Sequence, residues 1–184
     1  MHLFLSFSFL VLFAVCSAAQ EKSKQPLEVV PEVDLHRYMG TWYEIARLPN
    51  WFQKKCACDV TATYTMRDDG DIKVVNRCRK ENGQIIEAEG RAKRASKDRP
   101  NTKLKVRFAP GFLSLFPFVW GDYWIINLAE DYSYAVIGEP ARKYMWILSR
   151  TPTMDDTTFQ GILEQVKQKG YDLTELIRTE QTER

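Results

Sequence analysis

The stretch Gly40-Thr41-Trp42-Tyr43-Glu44-Ile45-Ala46-Arg47 decides how the rest of the chain is read. A glycine opens it, a tryptophan follows two residues later, and the remainder has the residue types that suit a pleated, half-buried strand. Just ahead of it, Asp34 in Val33-Asp34-Leu35-His36-Arg37-Tyr38-Met39 stands where it can cap a short helical turn that ends at Gly40. Near the other end, Tyr144-Met145-Trp146-Ile147-Leu148-Ser149-Arg150 reads as a partner strand. The expectation is that the two meet in space, close one end of a barrel and leave the other end open to an apolar ligand.

The residues between them alternate in the way a barrel requires. Over 59–67, Val60, Ala62, Tyr64 and Met66 share one face, with Thr61, Thr63 and Thr65 on the other. Asp68-Asp69-Gly70-Asp71 and Glu81-Asn82-Gly83-Gln84 are hairpin turns. They separate strands over 59–67, 72–79 and 85–94, with Gly90 expected at a bulge or bend. Further strands are expected over 102–108, 122–129, 132–138 and 144–150. Together with 41–47 this is an all-β pattern, an eight-stranded up-and-down antiparallel barrel just wide enough for a small ligand. One C-terminal helix follows, with Thr153 as its cap and Asp156 three residues on. Phe159, Ile162, Leu163 and Val166 make one apolar stripe, and Gly170 ends the helix. That stripe should pack on the outside of the barrel.

The 184 residues suit one domain with a real core. The net charge is only +2, from 26 basic and 24 acidic residues without a basic stripe, which argues against nucleic acid. Aromatic residues make up 12%, enough for some of them to line a cavity. Leu3 to Val15 is almost unbroken apolar sequence and is followed by Ser17-Ala18-Ala19, the pattern of a secretory signal over 1–19. Two processing routes stay open: cleavage before Gln20, or lipidation of Cys16, since Phe13-Ala14-Val15-Cys16 loosely resembles a bacterial lipobox. Residues 20–31 read as a leader or tether, and 32–180 as the barrel domain. The chain is expected to be exported, either lipid-anchored at an outer membrane or soluble in the periplasm or outside the cell.

Export favours disulfides, and Cys78 lies one hairpin from Cys56 and Cys58. Cys58–Cys78 is the favoured bridge, which leaves Cys56 free or paired between chains. A metal site is not expected, because His36 is the only histidine beyond the signal region. The sequence also lacks Gly-x-Ser-x-Gly, a phosphate loop and His-Glu-x-x-His, so an enzyme is not expected and no cofactor is implied. The apolar run Phe112-Leu113-Ser114-Leu115-Phe116-Pro117-Phe118-Val119-Trp120 is too short to span a bilayer. It reads as a greasy rim for membrane or for a second copy in a homodimer, or else as a segment that folds over the barrel mouth or extends strands.

Gly40-x-Trp42-Tyr43-Glu44, Asp131-Tyr132 and Ile147-Leu148-Ser149-Arg150 together resemble the three signatures of the lipocalins, within the calycin barrels. The resemblance covers about residues 32–180. It is strongest to the bacterial outer-membrane lipocalins and to apolipoprotein D. It implies that Gly40, Trp42 and Arg150 form the barrel floor, the guanidinium covering the indole. It also implies ligand-binding positions at Tyr64, Val74, Asn76 and Trp146, with Tyr134 and one of Tyr123 or Trp124 as further candidates. Glu44 is left between a buried partner near the floor and a cavity acceptor. The implied function is to bind and store or transport lipids, such as fatty acids or lysophospholipids, in support of the envelope membrane. The alternatives are a carrier of a tetrapyrrole or isoprenoid, or an enzyme acting on such a ligand through Cys78.

Overall fold

Asp34 begins the fold: its carboxylate accepts hydrogen bonds from the backbone N–H groups of His36 and Arg37, capping the short helix α1 (Leu35–Tyr38). Gly40 then turns the chain into the first strand at φ 96°, a left-handed conformation that costs a residue with a side chain. These and the following elements come from a computed structural model that describes residues 25–96, 101–109, 111–113 and 116–182. The strands are β1 (Gly40–Arg47), β2 (Cys58–Met66), β3 (Ile72–Arg79), β4 (Ile85–Arg94), β5 (Lys103–Arg107), β6 (Gly121–Leu128), β7 (Tyr134–Gly138), β8 (Met145–Ser149) and β9 (Ile177–Arg178).

Each of β2 to β7 pairs antiparallel with the next, and β1 closes the sheet between β2 and β8. Closure leaves no long free edge. The first half of β1 pairs with β2, while β9 runs beside its second half, opposite Ala46 and Arg47. This last short strand was not expected from the sequence. Because β1 rises from Gly40 to Arg47 and the strands alternate in direction, one end carries α1, the turns over 67–71 and 129–133, and residues 95–96 and 101–102. The other end carries the loops 48–57, 80–84 and 139–144 and the described residues 108–109, 111–113 and 116–120. We call these ends floor and mouth.

Two apolar clusters lie on either side of the wall. The inner one joins Tyr38, Trp42, Tyr64, Val74, Leu104, Ile125, Ile137 and Leu148. The outer one is covered by α2 (Asp156–Gln168), whose Phe159, Ile162 and Val166 are buried against Ile45, Val136, Met145 and Ile147. The helix starts later than expected: Asp155, not Thr153, is its cap, accepting from the N–H of Thr158 at 2.9 Å. The leader is not free from Gln25 onward. Leu27 is buried in the outer cluster, Val30 donates to the carbonyl of Ile125, and Arg142 donates to the carbonyl of Gln25.

Three further expectations are corrected. The disulfide joins Cys56 to Cys78, not Cys58 to Cys78. Cys78 shares the inner face of β3 with Val74 and Asn76, whereas Cys58 stands opposite Arg79, one position out of phase. Asp59 then adopts φ 53° and the register shifts before Thr61, while the N–H of Ala57 bonds to the carbonyl of Arg79 and swings Cys56 over to Cys78. Gly90 lies in unbroken register opposite Val74, so it marks no bulge; a Cβ there would come within 2.7 Å of the Phe108 ring. Tyr134 packs in the outer cluster beneath the helix, because the inner positions of β7 are Ala135 and Ile137. Among the described residues, no helix is long and apolar enough to cross a membrane.

Candidate ligand-binding site

The floor is sealed by stacked and hydrogen-bonded side chains. The Arg150 guanidinium lies 3.8 Å from the centre of the Trp42 ring and donates to the carbonyls of Arg37 and Thr41 at 2.7 and 3.1 Å. Trp42 is fully buried and its indole N–H donates to the carbonyl of Tyr38 at 2.9 Å. A positive φ at Tyr132 turns its hydroxyl to accept from the N–H of Asp34, and Arg37 lies 4.0 Å over its ring. The Asp131-Tyr132 signature therefore clasps α1 from below. None of these groups is offered to the barrel interior as a reactive centre; they hold its end shut.

Above the floor stands a cluster of three tyrosines. The hydroxyl of Tyr123 meets those of Tyr38 and Tyr64 at 2.7 and 2.9 Å. Burial pushes the Tyr64 phenol up to about 12, and those of Tyr38 and Tyr123 well above the usual phenol value. All three are therefore neutral at physiological pH. They form the polar bottom of an otherwise apolar cup.

The wall continues upward on strands β2, β3, β4 and β8. Tyr64 and Val74 face each other across strands and are buried. One step up, Asn76 stands between Ala62 and Ala88 and is only half-buried. Among the described residues its amide has no protein hydrogen-bond partner. Trp146 lies inside too, since its neighbours Met145 and Ile147 belong to the outer cluster. Of the pair Tyr123 and Trp124, Tyr123 is the inward one, and Trp124 sits outside with Lys103 4.1 Å over its ring. The structure thus gathers Tyr64, Val74, Asn76 and Trp146 around one interior and excludes Tyr134 from it.

Two residues near the mouth, Arg47 and Gln53, escape a reading by alternation, whereas Glu44 falls on the inner face two positions after Trp42. The register of β1 against β8 shifts between Glu44 and Ala46, so both Glu44 and Arg47 face inward, opposite Leu148 and Trp146. Arg47 donates to Glu44 at 2.7 Å, and both are buried. Gln53 comes in from the loop after β1: its amide N–H donates to Glu44 at 2.7 Å and its carbonyl accepts from the Trp146 indole at 2.8 Å. Glu44 is thus a buried partner on the mouth side, away from the floor. Among the described residues no cluster of three His, Cys, Asp or Glu could hold a metal.

Around the mouth the rim is aromatic. Trp51 is 72% exposed and Phe118 82% exposed, and Phe52 and Phe116 are also exposed. Phe52 leans on Tyr144 and Trp146, and Phe116 on Phe118. Among the described residues around 112–120, Gly111–Leu113 and Pro117–Val119 form 3-10 turns and do not extend the strands.

Comparison with known proteins agrees with this geometry. The chain is 44% identical over 161 residues to temperature-induced lipocalin-1 of Arabidopsis thaliana, covering 87% of this chain and 86% of that one. It is 35% identical over 170 residues to the outer membrane lipoprotein Blc of Escherichia coli K12, covering 92% and 91%. Insecticyanin from the tobacco hornworm Manduca sexta has the same fold at a TM-score of 0.65 and 22% identity, with 85% of each chain covered. With the family model for a lipocalin-like domain matching residues 33–181, the chain belongs to the lipocalins, a family of proteins that bind and carry small hydrophobic molecules.

Proposed function

We propose that the barrel binds acyl lipids, fatty acids or lysophospholipids, and stores or carries them for a membrane. The observation that carries this reading is the interior itself. A sealed floor is followed by an apolar and aromatic wall that carries the tyrosine hydroxyls, the unpartnered amide of Asn76 and the Glu44–Arg47 pair, and an aromatic rim surrounds the other end. Burial of an acyl chain there contributes roughly 0.8 kcal/mol per methylene. Carriage, not turnover, is the activity this supports, as for lipocalins generally. Cys78, the interior cysteine that chemistry would use, is held in a disulfide. Native mass spectrometry of the purified mature protein, with lipid extraction, tests the reading. Acyl lipids are the expected passengers, and a coloured preparation with a Soret band would replace them with a tetrapyrrole.

The rim suits delivery to a bilayer. Trp51, Phe52, Phe116 and Phe118 project at the same end, where aromatic side chains favour the membrane interface. Gln25 also lies at that end, tied to Arg142 in the 139–144 loop. Cys16 lies outside the described residues. Lipidation there would tether the chain mouth-side to the membrane, and incorporation of labelled palmitate tests it. Phe116→Ser/Phe118→Ser should reduce sedimentation with phospholipid vesicles severalfold without changing the urea midpoint; unchanged sedimentation would rule out contact through this segment.

A further inference from the structure

The ion pair at the mouth side is lopsided. Both oxygens of Glu44 are engaged: one accepts from Arg47 Nη1 at 2.7 Å and from the Thr179 hydroxyl at 2.5 Å, and the other accepts from Gln53 at 2.7 Å. Of Arg47 only Nη1 is engaged, by Glu44 and by Thr179 at 3.1 Å. Its Nε and Nη2 have no protein partner among the described residues, yet they are not among the sealed, unsatisfied buried atoms. The residue is 8% exposed, so this open edge has little room to reach bulk water. A buried guanidinium edge without a partner is costly unless something fills it.

The register shift in β1 puts Arg47 on the inner face of the barrel, opposite Trp146 and near the loop that carries Phe52 and Gln53. We infer that the open Nε/Nη2 edge of Arg47 is the head-group site of the barrel, taking the anionic oxygens of a carboxylate or phosphate on a ligand that enters tail first. The inference rests on the acyl-carrier reading above and adds the polarity of its ligand. The planar fork of a guanidinium matches two oxygens of either anion. Glu44 acts as a positioning residue: it fixes the guanidinium on the wall and balances its charge while the barrel is empty. The two ends of the interior then differ in kind. The tyrosine cluster at the bottom is neutral and pairs with itself, whereas the Arg47 level holds charge.

The test compares palmitic acid, 1-palmitoyl lysophosphatidylcholine and hexadecan-1-ol by titration calorimetry on the full-length mature protein. Wild type should bind the acid, the lysolipid or both at least about tenfold more tightly than the alcohol, the value of one charge-assisted hydrogen bond. Arg47→Gln alone strands Glu44 in a buried site and can unfold the protein, so the decisive variant is Glu44→Gln/Arg47→Gln, which removes both charges. It should bind the alcohol as wild type does and lose the tenfold preference. Glu44→Gln alone should widen the preference, because the carboxylate that competes with the head group is gone. Whichever ligand loses more affinity in the double variant identifies the carboxylate or the phosphate as the natural head. A preference that survives in the double variant, or equal binding of all three ligands by wild type, overturns the inference and leaves the acyl carrier standing. If wild type binds none of the three, the carrier reading falls as well.

Discussion

Arg150 is the residue whose loss should be felt most at the floor. Its guanidinium stacks on Trp42, an interaction of roughly 0.5–2 kcal/mol, and also ties down the carbonyls of Arg37 and Thr41 at the entrance to β1. Arg150→Ala should therefore lower unfolding stability by about 2–3 kcal/mol in urea titrations. Arg150→Lys should recover only part of that, because an ammonium cannot stack as a plane on the indole and lacks the fixed fork of the guanidinium. Equal stability of wild type and Arg150→Ala would mean the floor is closed by packing alone. The cysteines give a second check at this scale. Cys56→Ser and Cys78→Ser should each cost about 3 kcal/mol through the lost cross-link, while Cys58→Ser should leave the urea midpoint where it is.

Helix α2 and the outer face of β7 and β8 form a unit separate from the ligand cup. Ile162 is 1% exposed in the outer cluster, and the wall between the helix and the interior is one sheet thick. Ile162→Ala should destabilise by about 3 kcal/mol, as truncation of a fully buried aliphatic residue does. Ligand affinity measured below the melting transition should not change; a parallel loss of affinity would show that the helix shapes the cup. Tyr171 belongs to the same unit. Its hydroxyl donates to the carbonyl of Glu139, accepts from that residue's N–H, and fills the space a Cβ on Gly138 would need, at 2.1 Å. Helix stripe, Gly170 stop and strand alternation were all readable in advance, since each follows from a local period of side chains. The helix cap was read two residues early because Thr153 and Asp155 are both good cap residues, and the choice between them depends on where the chain leaves β8.

At the scale of the whole molecule, the tyrosine cluster couples the fold to alkaline pH. Burial raises the phenols of Tyr38, Tyr64 and Tyr123 above their ordinary value near 10, that of Tyr64 to about 12. In the unfolded chain these groups lose their protons first, so above pH about 10 the unfolded state binds fewer protons than the folded one, and stability falls as pH rises. Thermal melts from pH 9 to 12 should show a flat midpoint up to about 10 and a decline beyond it. Tyr64→Phe/Tyr123→Phe should soften the decline; an unchanged alkaline profile in that variant would assign it to other groups. The sequence by itself determined the eight main strands, their turns and the outer helix, because alternation, turn chemistry and caps act over a few residues; the stacking of Arg150 on Trp42 was implied by the family resemblance, not by any local pattern. Tertiary structure decided which cysteine meets Cys78, that Tyr123 faces in while Tyr134 faces out, that the leader is pinned from Gln25, and that Arg47 points into the barrel. Each of these depends on register across strands distant in sequence. A shift of one residue moves a side chain to the other face of the sheet, and no local pattern reports where such a shift falls.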